Sequence, residues 1–462
     1  MADSAEVGKR AGPVLQVGGQ CLLKNISRPL IAALQEKLTI ANPGYQAAKK
    51  YGRWVGKNFP QKLYFYTLDE SGSAIVFPRG FAAQAVSLCR RYMGQGPAID
   101  DRRRRLPEVD FTFQGKLRPY QEEALKAILQ KHFGVLVAGT GSGKTVVALA
   151  AIAARLQPAL ILVHSRELMY QWEERAAQFL GLKAGLIGDG RYDIQPLSIA
   201  IVNTARKRLE ELTPRFGHLL VDECHRVPAT LFTEVVKNFD TCYMLGLSAT
   251  AYRREDGLTR LIYLYMGERV HQVDPAVLEE SGAVLQPQFL QHRTGFNYRF
   301  RGNYQALMSA LTKNEERNLQ IIDDIVAEAR NTDGAILVVS DRVAHCSRLA
   351  ALLAVRGVPA SLLTGKQAAA ERSAIVEALH RGEVKVLVST LQLVGEGFDA
   401  PGLATLFLTT PIKFTGRLRQ VIGRILRPAA GKQARVFDYV DENVGVLRNS
   451  ARIRLQTYEK EN

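Results

Sequence analysis

Between residues 134 and 440 the chain repeats short, unbroken runs of Val, Ile and Leu. The first series reads GVLVAG (134–139), ALILVH (159–164), SIAIVNT (198–204), HLLVDE (218–223) and YMLGLSAT (243–250). A second series follows as AILVVSD (335–341), VKVLVST (384–390), ATLFLTT (404–410) and ARVFDYV (434–440). Runs with no polar alternation suit strands buried on both faces, which is the situation in a parallel sheet covered by helices. Helical stretches such as KTVVALAAIAARL and HCSRLAALLAV lie between them. The pattern is βαβ repeated twice, and 462 residues are too many for one ordinary core. The expected fold class is therefore α/β, with two parallel-sheet domains in tandem.

Residues 14–95 read differently. A helix-like RPLIAALQEKL, a hairpin-like KLYFYTLDESGSAIVF turning at DESGS, and FAAQAVSLCRRY suggest a small α+β domain in front. GQGPAIDDRRRRLPEV has linker composition. Its RRRR (102–105) reads as a solvated linker face, with a phosphate contact as the alternative. Weak periodicity over 251–334 marks a hinge. The expected division is 1–113, 114–283 and 284–462.

Net charge is 61 − 45 = +16, which favours a polyanionic partner. Residues 1–116 carry 18 Lys and Arg against 9 Asp and Glu, so +9 of that excess lies in front. Five scattered cysteines (21, 89, 224, 242, 346), never spaced CxxC, fit a reducing compartment rather than a disulfide framework or zinc knuckle. The start lacks a signal-peptide core, and the most apolar stretch is interrupted by Arg155, Gln157 and Pro158. A soluble, cytoplasmic protein without membrane contact is expected.

AGTGSGKT (138–145) follows a strand-like run and opens a helical one. Gly139, Gly141 and Gly143 let backbone N–H groups converge on a phosphate chain, with Ala138, Thr140 and Ser142 completing the loop. Lys144 can reach the β and γ phosphates, and the Thr145 hydroxyl suits magnesium. ATP and Mg2+ are the expected ligands. HLLVDECHRVPA (218–229) then places Asp222 and Glu223 at the end of an apolar run. Asp222 would hold the magnesium and Glu223 would orient and deprotonate the attacking water. A zinc site lacks further ligands. A Cys224–His225 nucleophile fails while the strand continues, because successive side chains face opposite ways. Cys224 then reads as a packing residue.

LRPYQEEAL (117–125), before this loop, offers Arg118 and Gln121 to the nucleotide, Gln121 matching the N6/N7 edge of adenine. GLSATAYRRED (246–256), STLQLVGEGFDAP (389–401) and QVIGRILRP (420–428) follow. Arg424 and Arg427 share a face if their segment is helical, and both could enter a phosphate site as arginine fingers.

These segments, in this order, resemble the superfamily-two helicases, with two RecA-like lobes and a DECH variant of the DEAD/DEAH box, over about 114–445. LRPYQ, RED (254–256) after SAT, and VFPRGF in front are similar to XPB-type DNA helicases and their bacterial and phage relatives. RED lies one residue further from SAT than in the archaeal pattern. The resemblance implies nucleic-acid backbone contacts from LVHSRELMYQW (Ser165, Arg166), IVNT (Asn203, Thr204), SDR (Ser340, Arg342), and Ser389 and Thr390. It also implies coupling by Ser248 and Thr250, a ribose contact by Asp399, and Gln420 near the γ-phosphate. The front domain resembles a damage-recognition domain.

YQAAKKYGRWVGKNFPQKLYFY (45–66) interleaves cations with aromatics, so Lys49, Arg53 and Trp54 are candidate nucleic-acid contacts, against ordinary packing. His164 and His218 read as structural. The expected activity is an ATP-dependent DNA helicase or translocase that binds its strand with little sequence preference. An RNA helicase, a duplex translocase serving a nuclease, repair or defence partner, and an ATP-gated clamp are the alternatives.

Overall fold

A computed structural model describes residues 12–50, 52, 54, 56, 60–70, 72–139, 141–226, 230–249, 259–395, 402–412, 418, 421–423, 425–426 and 432–458. Two compact units result. One comprises Met1–Ala138 with Lys144–Gln272, the other Gly139–Gly143 with Val273–Asn462.

In the first unit, β1 (Val14–Val17), β2 (Gln20–Lys24), β3 (Thr39–Ala41), β4 (Lys62–Tyr64), β5 (Thr67–Leu68), β6 (Ile75–Pro78) and β7 (Ala98–Asp101) precede residue 102. Five of them form a sheet ordered β5-β6-β2-β1-β7, and β3 pairs with β4. The expected hairpin is β5 and β6, paired antiparallel, with Asp69 N–H donating to Ala74 O at 3.1 Å across the turn. KLY leaves it for the β3 partnership.

The second sheet of this unit contains β8 (Phe133–Val137), β9 (Ala159–Val163), β10 (Gly185–Gly188), β11 (Arg191–Tyr192), β12 (Leu197–Ile201), β13 (His218–Val221), β14 (Tyr243–Ser248) and β15 (Arg269–Gln272). Their order is β11-β10-β12-β9-β13-β14-β8-β15. Every pairing is parallel except β10 with β11. The apolar runs are those strands, and both faces are covered. Helices Lys144–Arg155 and Arg166–Leu180 pack around Trp172, Ile152 and Leu220 on one face. Helices Thr230–Asn238 and Thr259–Met266 pack around Val235, Phe239 and Ile262 on the other.

The second unit carries β16 (Pro287–Arg293), β17 (Ala335–Ser340), β18 (Ala360–Leu363), β19 (Val386–Thr390), β20 (Leu403–Leu408) and β21 (Ala434–Val440), ordered β16-β21-β20-β17-β19-β18 and all parallel. β10, β11, β15, β16 and β18 lie outside the nine apolar runs. They are short or carry polar residues, as in PQFLQHR, so no continuous apolar stretch marks them.

RRRR is only partly solvated: Arg102 and Arg105 are exposed, while Arg103 and Arg104 are half-buried. Arg104 makes a bidentate pair with Asp240 at 3.0 Å, and its backbone bridges Thr241. Arg103 is mostly buried beside Asp101, and Arg105 donates to the Tyr243 hydroxyl at 3.1 Å. Arg103, Arg104 and Arg105 thus run along the start of β14, while Arg102 pairs with Asp100 of β7. Among the described residues no helix is long and apolar enough to cross a membrane.

Candidate nucleotide site

Parallel strands bring their C-terminal ends to one edge of the sheet, where ligands of such folds bind. β14 lies between β8 and β13, with Ser248 opposite Val137 and Gly246 opposite Val221. The C-terminal ends of β8, β13 and β14 therefore lie side by side. Gly141 and Gly143 take φ of +87° and +77°, left-handed values that a side chain would oppose. The Ser142 hydroxyl closes the loop on Gly139 O at 2.7 Å. Lys144 and Thr145 open the twelve-residue helix, whose free N–H groups favour an anion. The Lys144 ammonium donates to Ala138 O at 2.8 Å.

β13 ends at Val221, so Asp222 and Glu223 stand just beyond the strand, and Cys224–Arg226 turn as a short 3-10 helix. The alternate-face argument against a Cys224–His225 pair therefore does not apply. Cys224 is nonetheless fully buried in the core, where burial pushes its thiol well above 9. Asp222 is buried. One oxygen accepts from the Trp172 indole at 2.9 Å and the other from the Glu223 N–H at 2.9 Å. Burial and the charge of Glu223 push its carboxyl up to about 6, against the opposing pull of Trp172 and Lys144. Burial works upward on Glu223 as well, but His225, Lys144 and His164 outweigh it and bring that carboxyl down to about 2. His225 Nδ1 lies 3.0 Å from Glu223 Oε2 and 3.3 Å from the Ser248 hydroxyl, which links the Glu223 turn to the end of β14.

Two adjacent carboxylates with depleted solvation, one of them resisting ionisation, fit a divalent cation that would relieve their repulsion. A hydroxyl at Thr145 and a carboxylate at Asp222 are hard oxygen donors of the kind magnesium takes. Trp172 went unrecognised in the sequence reading. The signal lay in its spacing from Leu168, which puts it on the buried helix face with an indole N–H that needs a partner.

Elsewhere the candidates divide. Gln121 is buried, and its Oε1 accepts from the Arg118 N–H at 2.9 Å, while Arg118 is exposed. Ser165 caps its helix by accepting from Leu168 N–H at 3.3 Å, and Arg166 lies 3.6 Å from Asp189. Asn203 is exposed and Thr204 half-buried on the short helix Val202–Arg206. Ser340 and Ser389 lie at the C-terminal ends of β17 and β19. Both are fully buried, Ser340 bonded to His345 Nδ1 at 2.9 Å and Ser389 donating to Leu363 O at 2.9 Å. Thr390 is buried beside them, and Arg342 is half-exposed. Lys49 and Trp54 are exposed, Trp54 at 88%. Thr140, Arg53, Thr250, the RED segment, Asp399, Gln420, Arg424 and Arg427 lie outside the described residues.

Comparison with known proteins agrees with this geometry. Residues 114–253 match the family model of the type III restriction enzyme res subunit, and 317–429 match the helicase conserved C-terminal domain. The chain is 26% identical over 384 residues to the DNA 3'-5' translocase XPB2 of Sulfurisphaera tokodaii, covering 73% of this chain and 84% of that protein. It is 27% identical over 343 residues to the DNA 3'-5' helicase XPB of Kineococcus radiotolerans, covering 69% of this chain and 59% of that one. Among solved structures, S. cerevisiae Dbp5 bound to RNA and ADP BeF3 is similar at a TM-score of 0.55 and 16% identity, over 75% of this chain and 88% of that chain. That similarity extends to the fold: two RecA-like domains. With strand order, glycine loop and DECH turn all in place, the chain is similar to the superfamily-two helicases and, over most of its length, to XPB-type DNA helicases.

Proposed function

We propose that this protein is an ATP-dependent DNA helicase or translocase. The observation that carries the proposal is the joined constellation of Lys144, Asp222, Glu223, His225 and Ser248 at the ends of three adjacent strands. In this reading the loop N–H groups and Lys144 bind the β and γ phosphates. Thr145 and Asp222 hold magnesium, which when bound supplies charge neutralisation across those phosphates. Glu223, held ionised by its cationic neighbours, orients the attacking water and accepts its proton. Trp172 fixes the Asp222 carboxylate, and His225 passes the state of Glu223 to Ser248. ATP binding and release then drive stepping along a sugar-phosphate backbone.

The preference for DNA rests on the XPB-type relatives and on the net charge of +16. Location in the cytoplasm, and a nuclease, repair or defence partner, are further parts of the proposal. Phosphate release titrated with single-stranded DNA, forked DNA, duplex DNA and RNA at two salt concentrations tests it. Stimulation by DNA that weakens steeply with salt is expected. Turnover indifferent to every nucleic acid would overturn it, and stimulation by RNA alone would make it an RNA helicase.

A further inference from the structure

The two helices that follow the hydrolysis residues both end on the N-terminal sheet. After the DECH turn the chain runs through helix Thr230–Asn238, and after the strand ending at Ser248 comes helix Thr259–Met266. Each terminates against a glycine beside the N-terminal sheet, Gly19 in the turn between β1 and β2 and Gly80 in the 3-10 turn Arg79–Phe81 that follows β6. A Cβ on Gly19 would lie 2.8 Å from Lys237 O, in the last turn of the first helix. A Cβ on Gly80 would lie 2.3 Å from Tyr263 O and 2.6 Å from Leu264 O, in the last turn of the second. No side chain fits at Gly80, since every one of those neighbours is backbone.

Arg79 stands beside Gly80, 2% exposed. Its guanidinium donates to Thr241 O at 2.8 Å, to Thr241 Oγ1 at 3.2 Å and to Gly18 O at 3.5 Å. Among the described residues its Nε has no hydrogen-bond partner. Thr241 joins the end of the first helix to β14, the strand that ends at Ser248. An arginine that bonds only to carbonyls and a hydroxyl loses its hydration without gaining a hydrogen-bonded carboxylate, so it is a poor source of stability. Its contribution is geometric. Leu261 and Leu264 of the second helix are also buried in the N-terminal core, alongside Phe77 and Phe81.

We propose that Arg79 is a positioning residue for ATP hydrolysis. It locks the N-terminal sheet onto Thr241, so that the sheet braces the far ends of the helices leading from Glu223 and Ser248. Displacement at the N-terminal sheet then moves the Glu223–His225–Ser248 linkage, and the sheet acts as an arm that sets the turnover rate. This inference rests on the reading of the site as an ATPase.

The test measures steady-state phosphate release by full-length Arg79→Met and Arg79→Lys. Trp172 emission is recorded in parallel, with exposed Trp54 quenched by iodide. Because Trp172 donates to Asp222, it reports on the site itself. Folded Arg79→Met is expected to lose roughly ten- to a hundredfold in kcat, as displaced catalytic geometry does. Its KM for ATP should change little, Trp172 emission should shift, and Arg79→Lys should recover part of the rate. Wild-type kcat and Trp172 emission in folded Arg79→Met would overturn the inference. If that variant does not fold, Gly19→Ala, which presses on Lys237 O, must show the same kcat-against-KM split, and an unchanged kcat there also overturns it. An inactive wild-type protein would instead reject the ATPase reading.

Discussion

Glu223 occupies φ +48°, a left-handed conformation that costs a residue with a Cβ on the order of 1–3 kcal/mol. The strain falls on the residue assigned as general base, and it is held by His225 on the side chain and Asp222 on the N–H. A glutamine there keeps shape and backbone while losing basicity. Glu223→Gln is therefore expected to bind ATP within about threefold of wild type and to release phosphate at least ~100-fold more slowly. Wild-type phosphate release by that variant would remove Glu223 as the base. Asp222, bonded to an indole and raised by burial, suits the other role, in which a cation supplies the compensating charge.

In the C-terminal unit, strand ends are held by buried polar networks. Arg317 of helix Glu315–Asn331 makes a bidentate pair with Asp441 after β21 and donates to Thr409 O after β20. His345 of helix Val343–Val355 sits between the Ser340 hydroxyl at the end of β17 and Asn318 Oδ1 at 3.0 Å. A neutral imidazole satisfies both partners. Burial, aided by Arg317 and Arg348, lowers His345 from 6.5 to about 3. The folded ring thus stays neutral while the unfolded ring takes a proton below its ordinary value. The contribution is complete above pH ~6.5 and is lost toward pH 3 at about 1.4 kcal/mol per unit. Denaturant titrations at pH 7.5 and 5.0 should show wild type losing about 2 kcal/mol more than His345→Gln between the two. Equal losses would show that His345 is not the responsible group.

Across the whole molecule, the N-terminal sheet and the nucleotide-binding sheet belong to one compact unit. Leu261 and Leu264 are buried against Leu30 and Phe81, and Arg104 pairs with Asp240. Removing residues 1–110 would open this core, so the truncated protein is expected to melt at least ~5 °C lower or to aggregate. An unchanged melting temperature would show that the sheet is dispensable to the unit. The nucleic-acid role proposed for the front of the chain is better asked of exposed Lys49 and Trp54. Lys49→Ala and Trp54→Ala together should weaken single-stranded DNA binding by at least ~10-fold in an anisotropy titration while leaving the melting temperature unchanged, since stacking on an aromatic is worth about 1–3 kcal/mol per base. Equal affinity would dispose of that surface as a binding site.

Strand runs, the glycine loop and the acidic pair were legible in the primary structure, because each is written within a few consecutive residues. A strand buried on both faces has to be apolar along its length, and left-handed turns at Gly141 and Gly143 call for glycine. RRRR is half solvated, with Arg102 and Arg105 exposed, but nothing in a run of arginines marks Arg103 and Arg104 as packed beside Asp101 and Asp240. Trp172 with Asp222, Arg104 with Asp240, and Arg79 with Thr241 lie 50, 136 and 162 residues apart. No local periodicity encodes such pairs. They exist because packed helices and strands bring distant groups into a space without water, where each polar atom must find whatever partner the fold supplies.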